Sequence, residues 1–568
     1  MVTVIADNIL SPLGATTSEN LQAVRDSRAC LREHRLWDIP EPFVASLFAD
    51  GQGERPTFEA LVAASILRCL ASTDVAGRVV LVLSSTKGQT TGPEGVSFAV
   101  TASRIVERIR PALPLVESLA SFTVSNACIS GLSALIVARR LLDMGAYDYA
   151  IVAGCDVQSR FIVSGFQSFK AMSPAPCRPF DEDRNGLNLG EAAATIILKR
   201  CSPDEVTSGT WEALPGFMRN DAFHISGPSR TAEGSFLALE AACREVTRPV
   251  CLSAHGTATL YNDDMESKAI HRAALSDVPV TALKGYFGHT MGAAGILESI
   301  LTMHALREGW IPATRGFKTL GTSRPITVVG RHQPLSDAAQ PPSFIKLMSG
   351  FGGCNAAMGF ELLGDSKRQV CCGVEAKLTE PRLSVHITPQ GATLCGETLP
   401  TAGATGKALL TALYKQYVGD YPKFYKMDIL TRLGFMAAEL LMQREASTEA
   451  FGHHRAVLLF GRTASQVADR AFEQTIQPGD NYFPSPADFV YTLPNIVTGE
   501  IAIRHQLHGE TCYFALPSRD DALMHQLVAQ AFADPATTSA LVGWLDAPDE
   551  NHFEASLSIN FPDCETGY

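Results

Sequence analysis

The chain is short of charge, and of basic charge above all. Only 19% of its 568 residues are charged, 47 Lys and Arg stand against 59 Asp and Glu, and the formal net charge is -12 at pH 7. No basic face follows from that balance, which argues against a general nucleic-acid binder. Long apolar runs are missing as well. Stretches such as "RAVLLFG" and "ALIVARRLL" are too short, or are broken by arginine, to cross a bilayer, which takes about 20 apolar residues. No membrane span is expected. The 14 cysteines include no C-x-x-C pair, and Met1 leads straight into "VTVIADNILSPLG", which reads as a strand and turn rather than a signal peptide. A reducing cytoplasm is the expected setting.

What is present is 46% hydrophobic, enough for more than one packed core in a chain this long. Apolar strands such as "RVVLVLSS" (78–85) and "YAIVAGCD" (149–156) alternate with helical stretches such as "FEALVAASILRCL" (58–70) and "SGLSALIVARRLLDMG" (130–145). That alternation predicts α/β layers. After "FGGCNAAMGFELL" the sequence turns polar at "GDSKRQ" (364–369), and a domain boundary is placed there, dividing residues 1–363 from 364–568.

The second part reads as a worn copy of the beginning of the first. "LGFMAAELLM" parallels "LVAASILRCL" with Ala437 against Ala63, an offset of 374. "RAVLLFGRT" parallels "RVVLVLSST" with Arg455 against Arg78, an offset of 377, and "ALVGWLDA" parallels "AIVAGCDV" with Gly543 against Gly154, an offset of 389. The order is kept and the offsets drift by loop-sized amounts, as in a diverged duplication; the alternative is the rhythm any two α/β segments share. The same comparison sets Leu516 opposite Cys128, so the copy lacks the cysteine.

Cys128 lies between a strand ending at Ser125 or Asn126 and a helix opening at Ser130 and Gly131. Most free cysteines are packed small hydrophobes, but a thiol at a helix N-terminus meets unpaired N–H groups and the positive dipole end, which favour thiolate. In "SAHGTATLYNDDMESKAI" (253–270), His255 stands at a strand end, where sites gather in α/β folds, with Asp263 just beyond it. In "ALKGYFGHTMGAAGILESILTMHAL" (282–306), Lys284 and His289 sit on a glycine-rich loop. The following helix has small residues suited to close packing and one isolated charge, Glu298. Finally, "SGFGGCNAA" (349–357) is a glycine turn through Phe351 and Gly352, able to aim a backbone N–H at an oxyanion.

One cysteine at a strand-to-helix turn, two histidines after strand ends, a lysine five residues before the second histidine and a late G-F-G-G turn together resemble the β-ketoacyl-[acyl carrier protein] synthases of the thiolase superfamily. The resemblance covers residues 1 to about 363. It implies a thiolase-like fold of two duplicated halves in α/β/α/β/α layers, followed by a C-terminal half-thiolase-like α/β domain. It also implies that Cys128 accepts an acyl chain from the phosphopantetheine of a carrier protein, with the N–H groups of Cys128 and Phe351 holding the oxyanion. A malonyl thioester would then lose CO2 and its enolate attack the acyl-cysteine. His255 and His289 would donate hydrogen bonds to the thioester oxygen, Lys284 and Glu298 would fix the second histidine, and Asp263 and Gly352 would support the site. No metal and no cofactor beyond the carrier's own arm is implied. The histidine pair resembles elongating synthases; initiating ones resemble a Cys-His-Asn pattern, and thiolases use a second cysteine.

Some features depart from that pattern. Ile129 follows the cysteine where small residues are usual, and is expected to reshape the acyl pocket. The M-P-N-like segment is missing upstream of Cys128 and appears instead in the C-terminal copy, in "FVYTLPNIVTGEIAIRHQLHGE" (489–510). That copy has neither histidine motif. It reads either as a companion surface of the chain-length-factor kind, which shapes a neighbour's tunnel, or as an appendage. By resemblance the strand "ASFTVSN" pairs across a dimer interface, so a homodimer or a heterodimer with a ketosynthase-like subunit is implied. Paired full and truncated chains resemble those of aryl polyene pathways. The alternatives are a non-catalytic, chain-length-factor-like scaffold that binds acyl carrier protein, or a condensing enzyme for coenzyme A thioesters. Arg139, Arg140, Lys199 and Arg200 are the candidates for carrier recognition.

Overall fold

The computed structural model describes every residue except 50–54, 89–96, 203, 247, 336–340, 365–376, 382, 446–453, 478, 480, 481 and 564–568. The expected polar boundary lies, from residue 365 onward, outside the described residues.

The first five strands of interest are β1 (Val2–Leu10), β2 (Ala76–Ser84), β3 (Leu115–Val124), β4 (Tyr149–Asp156) and β5 (Ala192–Arg200). They form a sheet in the order β1-β5-β4-β2-β3. The pairs involving β5 are antiparallel and the others parallel. The central strands are apolar on both faces because helices cover both. On the outer face lie α1 (Phe58–Leu70) and α2 (Phe98–Ile109); on the inner face lies α3 (Ser130–Asp143). Residues 211–362 repeat this plan with β6 (Trp211–Asn220), α4 (Glu233–Glu245), β7 (Cys251–Ser253), α5 (Leu260–Arg272), β8 (Pro279–Thr281), α6 (Ala294–Arg307), β9 (Ser343–Ser349) and β10 (Cys354–Leu362). The order is β6-β10-β9-β7-β8, with the same senses of pairing. The two sheets enclose α3 and α6, while α4 and α5 cover the far face. These are the five layers expected.

The region beyond residue 382 supplies a third copy of the unit: β11 (Leu383–Thr388), α7 (Ile429–Glu445), β12 (Ala456–Gly461), α8 (Pro486–Tyr491), α9 (Ile496–His505), β13 (Thr511–Ala515), β14 (Ala540–Asp546) and β15 (Glu554–Asn560). Its order, β11-β15-β14-β12-β13, and its pairing senses match the first two. The register corrects one detail. Ser84 pairs with Val124 and Gly461 with Ala515, so Ala515 stands where Val124 stands. Counting four residues on from each reaches Cys128 and Arg519, so Arg519 rather than Leu516 holds the cysteine's place. Drifting loop lengths concealed the three-residue slip.

The strand expected to pair with a second subunit is paired within the chain. Val124 and Thr123 of β3 lie antiparallel to Phe514 and Ala515 of β13, and Ser125 N–H donates to the Tyr513 carbonyl at 3.0 Å. The third unit thus continues the first sheet across an approximate two-fold axis. No helix among the described residues is long and apolar enough to cross a membrane.

Candidate active site

Cys128 and His289 lie on corresponding connections in successive units, between the third strand and the inner helix, Cys128 within its turn and His289 two residues before the other. Ala127 (φ +48°) and Met291 (φ +50°) begin these turns with left-handed backbone, unfavourable for a residue with a side chain and typical of sites that fix geometry tightly. Each turn is a 3-10 segment, Ala127–Ile129 and Met291–Ala293, running into a 14-residue helix. Glycine lets the two helix starts meet: a Cβ on Gly131 would lie 2.7 Å from the Gly292 carbonyl oxygen, and one on Gly295 would lie 2.6 Å from the Leu132 nitrogen. Close packing by small residues, expected for α6, is what brings cysteine and histidine together.

His255 follows β7, and its ring stands 5.3 Å from that of His289, edge to face at 82°. Cys128, His255, His289 and Phe351 line one cleft of about 350 Å3, together with Leu187, Thr257 and Leu260. The turn after β9 reaches the same place: a Cβ on Gly350 would lie 3.2 Å from the Cys128 nitrogen, so the backbone at Phe351 adjoins that of the cysteine. Gly352 (φ +88°) follows, leaving room for Asn495, whose Nδ2 donates to the Phe351 carbonyl at 2.8 Å. The third unit therefore braces the glycine turn.

Burial, with Lys284 next in weight, holds both imidazoles well below the usual histidine range, so both are neutral at pH 7. The Met291 N–H points at His289 Nδ1 at 3.4 Å, which assigns the ring proton to Nε2. That Nε2 is buried with no protein partner among the described residues. A ligand oxygen in the cleft would satisfy it.

Burial pushes the Cys128 thiol up to about 12, with Lys284 opposing. The lowering expected from the helix N-terminus is outweighed by burial, although the residue is partly exposed and lines the cleft.

Lys284 does not touch the cleft. Its Nζ donates to the His255 carbonyl at 2.6 Å and to Glu298 at 2.8 Å, so it steadies the first histidine where the second was expected. Burial works against the Glu298 charge, but Lys284 and Lys346 hold the carboxyl below its ordinary value. Asp263 is fully buried behind the His255 loop, accepting from Phe180 N–H (2.6 Å) and Ala258 N–H (3.0 Å), and burial raises it to about 7.

Three supporting residues escaped sequence reasoning. Glu266 accepts from the backbone of His255 and Gly256, at 2.6 and 2.8 Å. Asp156, at the end of β4, ties the end of β2 to the turn before α6 by accepting from Ser85 Oγ at 2.6 Å and Gly292 N–H at 2.7 Å. Lys346 shares Glu298 with Lys284. A lysine inside "SFIKLMS" was the available signal.

Two expectations fail for reasons of packing. Ile129 is fully buried in the core and lines neither cavity beside Cys128; the sharp turn at Ala127 faces it away. Arg139 and Arg140 belong to the enclosed helix α3 and are consumed by Asp143, Glu510 and backbone carbonyls, so they offer no docking patch. Lys199 lies 3.3 Å from Glu205.

Comparison with known proteins agrees with this geometry. The family models "Beta-ketoacyl synthase, N-terminal domain" and "Beta-ketoacyl synthase, C-terminal domain" match residues 120–203 and 215–318. A curated relative, 3-oxoacyl-[acyl-carrier-protein] synthase 2 of Vibrio cholerae, is 31% identical over 293 residues, covering 48% of this chain and 69% of that protein. The chain belongs to the β-ketoacyl synthase family, the enzymes that condense acyl chains in fatty acid and polyketide synthesis. Among solved structures, one titled PfaC keto synthase-chain length factor is similar over 100% of this chain and 79% of its own, with a TM-score of 0.76 at 13% identity. The ishigamide ketosynthase/chain length factor covers 64% of this chain at a TM-score of 0.56 and 23% identity. Both likenesses are of fold.

Proposed function

We propose that the chain condenses a cysteine-bound acyl group with malonyl-[acyl carrier protein], giving 3-oxoacyl-[acyl carrier protein] and CO2. The observation that carries this reading is the convergence of Cys128 and two neutral, buried histidines on one cleft. In the first half Cys128 Sγ attacks the acyl thioester carbon. The bond to the carrier's pantetheine sulfur breaks, that thiolate takes up the proton the cysteine gives up, and the oxyanion lies against the Cys128 and Phe351 backbone. In the second half the malonyl carboxylate leaves as CO2, and its bonding electrons form an enolate whose oxygen accepts hydrogen bonds from His255 and His289. The enolate carbon then attacks the acyl-cysteine carbonyl. Collapse expels the Cys128 thiolate, which regains a proton.

We assign the third unit to the acyl side of the reaction. Beyond Cys128 lies a second cavity of only about 10 Å3, whose apolar walls include Ile162, Phe166 and Met291 together with Phe489 and Leu493 of the C-terminal region. Those two residues would set how far a chain can extend from the cysteine, as a built-in companion surface. The occupied β3 edge supports a chain that carries its own partner in place of one recruited at that edge. Carrier protein would approach the open cleft, whose rim includes Lys170 and the exposed Leu260 and Tyr261.

The test is intact-mass spectrometry of the protein and of its Cys128→Ala variant after incubation with acylated carrier proteins of several chain lengths. An acyl-sized gain on the parent alone is expected. No gain on either would leave a carrier-binding scaffold in place of an enzyme, and a long conjugated product from the full reaction would place it among aryl polyene synthases.

A further inference from the structure

Lys346 is completely buried, on β9, in a strand whose other enclosed side chains are apolar. Its three ammonium protons meet three acceptors: Glu298 Oε2 at 2.5 Å, the Ala254 carbonyl at 2.9 Å and the Ser253 carbonyl at 3.2 Å. An ammonium group has three donors and no acceptor, so this nest is complete only for the charged form. Lys284, from the turn before α6, takes the next carbonyl, that of His255, and the other Glu298 oxygen. Two buried lysines thus hold three consecutive carbonyls at the end of β7 and share one carboxylate. For a salt bridge alone one lysine would suffice; a second adds positive charge within a buried site, where it is costly unless it performs a task.

We propose that Lys346 is a positioning residue for the condensing half-reaction: it pins the β7 end that aims His255, and its charge keeps His255 and His289 as neutral N–H donors in mildly acidic conditions. The inference rests on the ketosynthase reading. Burial is the first cause of the depressed affinity of both histidines for protons, and Lys284 and Lys346 add to it, with each ring also adjoining the other. The charged and titratable groups around the pair are Lys284, Glu298 from α6, Lys346 from β9, Glu266 and Asp263 from α5, Asp156 from β4, and Cys128. Glu266 opposes the lysines, but its oxygens are engaged by the backbone of His255 and Gly256. A histidine that gained a proton would carry charge into the cleft at the moment an enolate, not a carboxylic acid, has to be stabilised, and its acidity would quench the carbanion.

The sign follows directly. Removing a positive neighbour raises the proton affinity of both rings, so the acid limb of malonyl decarboxylation and of condensation moves to higher pH. Lys346→Gln keeps amide donors for the carbonyls without the charge, and the limb is expected to rise by roughly one pH unit. A purely structural lysine would lower the rate at every pH and leave the limb in place, and that outcome overturns the proposal. A second measurement needs neither the variant nor turnover. In the full-length parent with ring-labelled histidine, the signals of His255 and His289, assigned by His255→Asn and His289→Asn, are expected to stay in the neutral form through the range in which an ordinary histidine titrates. Titration of either near the ordinary value of about 6.5 overturns the idea even if Lys346→Gln fails to fold. The ring signals report protonation whether or not condensation is detected, so failure of this inference and failure of the ketosynthase reading are told apart.

Discussion

Cys128 keeps its proton until substrate arrives, because burial outweighs the helix end beneath it. In the proposed transfer step the departing pantetheine sulfur therefore takes the proton. Alkylation of Cys128 by iodoacetamide, followed by peptide mass, is expected to keep rising from about pH 7 to about pH 9. A plateau near pH 7 would show a pre-formed thiolate and remove this step order. Cys128, His255, His289 and Lys284 were legible in the sequence because each sits beside a marker of a strand end or tight turn, a glycine, a hydroxyl or a break in an apolar run. What could not be read was which group touches which. Lys284 grips the backbone of the histidine 29 residues before it, with Glu298 as a shared anchor. Asp156 and Glu266 bind backbone N–H groups whose position only the folded chain defines.

The strands and helices themselves were readable. "YAIVAGCD" and "FEALVAASILRCL" are β4 and α1 to the residue, since each is an apolar run bounded by polar or glycine-containing sequence. Contacts between units were not readable, as they join residues hundreds of positions apart. Asn126, two before Cys128, donates to the Thr511 carbonyl of β13 at 2.8 Å. The α8 helix presses Phe489 onto Gly165, where a Cβ would lie 2.1 Å from the ring; the glycine is what lets that ring reach the cavity beside Cys128. Lys87, at the end of β2, is buried and binds Asp469 at 2.5 Å and the Thr492 carbonyl, fixing the chain that joins α8 to α9. Phe489→Ala is therefore expected to lengthen the longest acyl chain that Cys128 accepts in the mass assay, at a stability cost of about 3 kcal/mol read as a lower Tm. An unchanged length limit in a folded variant would place the end of the acyl pocket elsewhere.

At the scale of the whole molecule, three copies of one five-strand unit share two jobs. The first two make the cleft, and the third closes the sheet edge beside Cys128. The junction is more than a strand pair. Arg140 of α3 meets Glu510 at 2.7 Å, and Arg219 of β6 is paired with Asp534, all four side chains being almost fully enclosed. Breaking one partner leaves a buried charge alone, so Asp534→Ala is expected to destabilise the protein by roughly 3 kcal/mol or more, seen as a shift of the urea midpoint. Removing the whole third unit does something larger. A chain ending at residue 363 would expose the backbone of β3, the apolar face around Phe122, and the unpaired guanidinium groups of Arg140 and Arg219. An unpaired, apolar strand edge is a template for association. That fragment is expected to be recovered as aggregate or as a dimer through β3, without the acyl-cysteine signal of the full chain, because Asn126 and the Phe351 turn would lose Thr511 and Asn495. Recovery of a soluble, monomeric fragment that still acylates Cys128 would mean that the third unit is an appendage, and would return the search for its role to the outer surface.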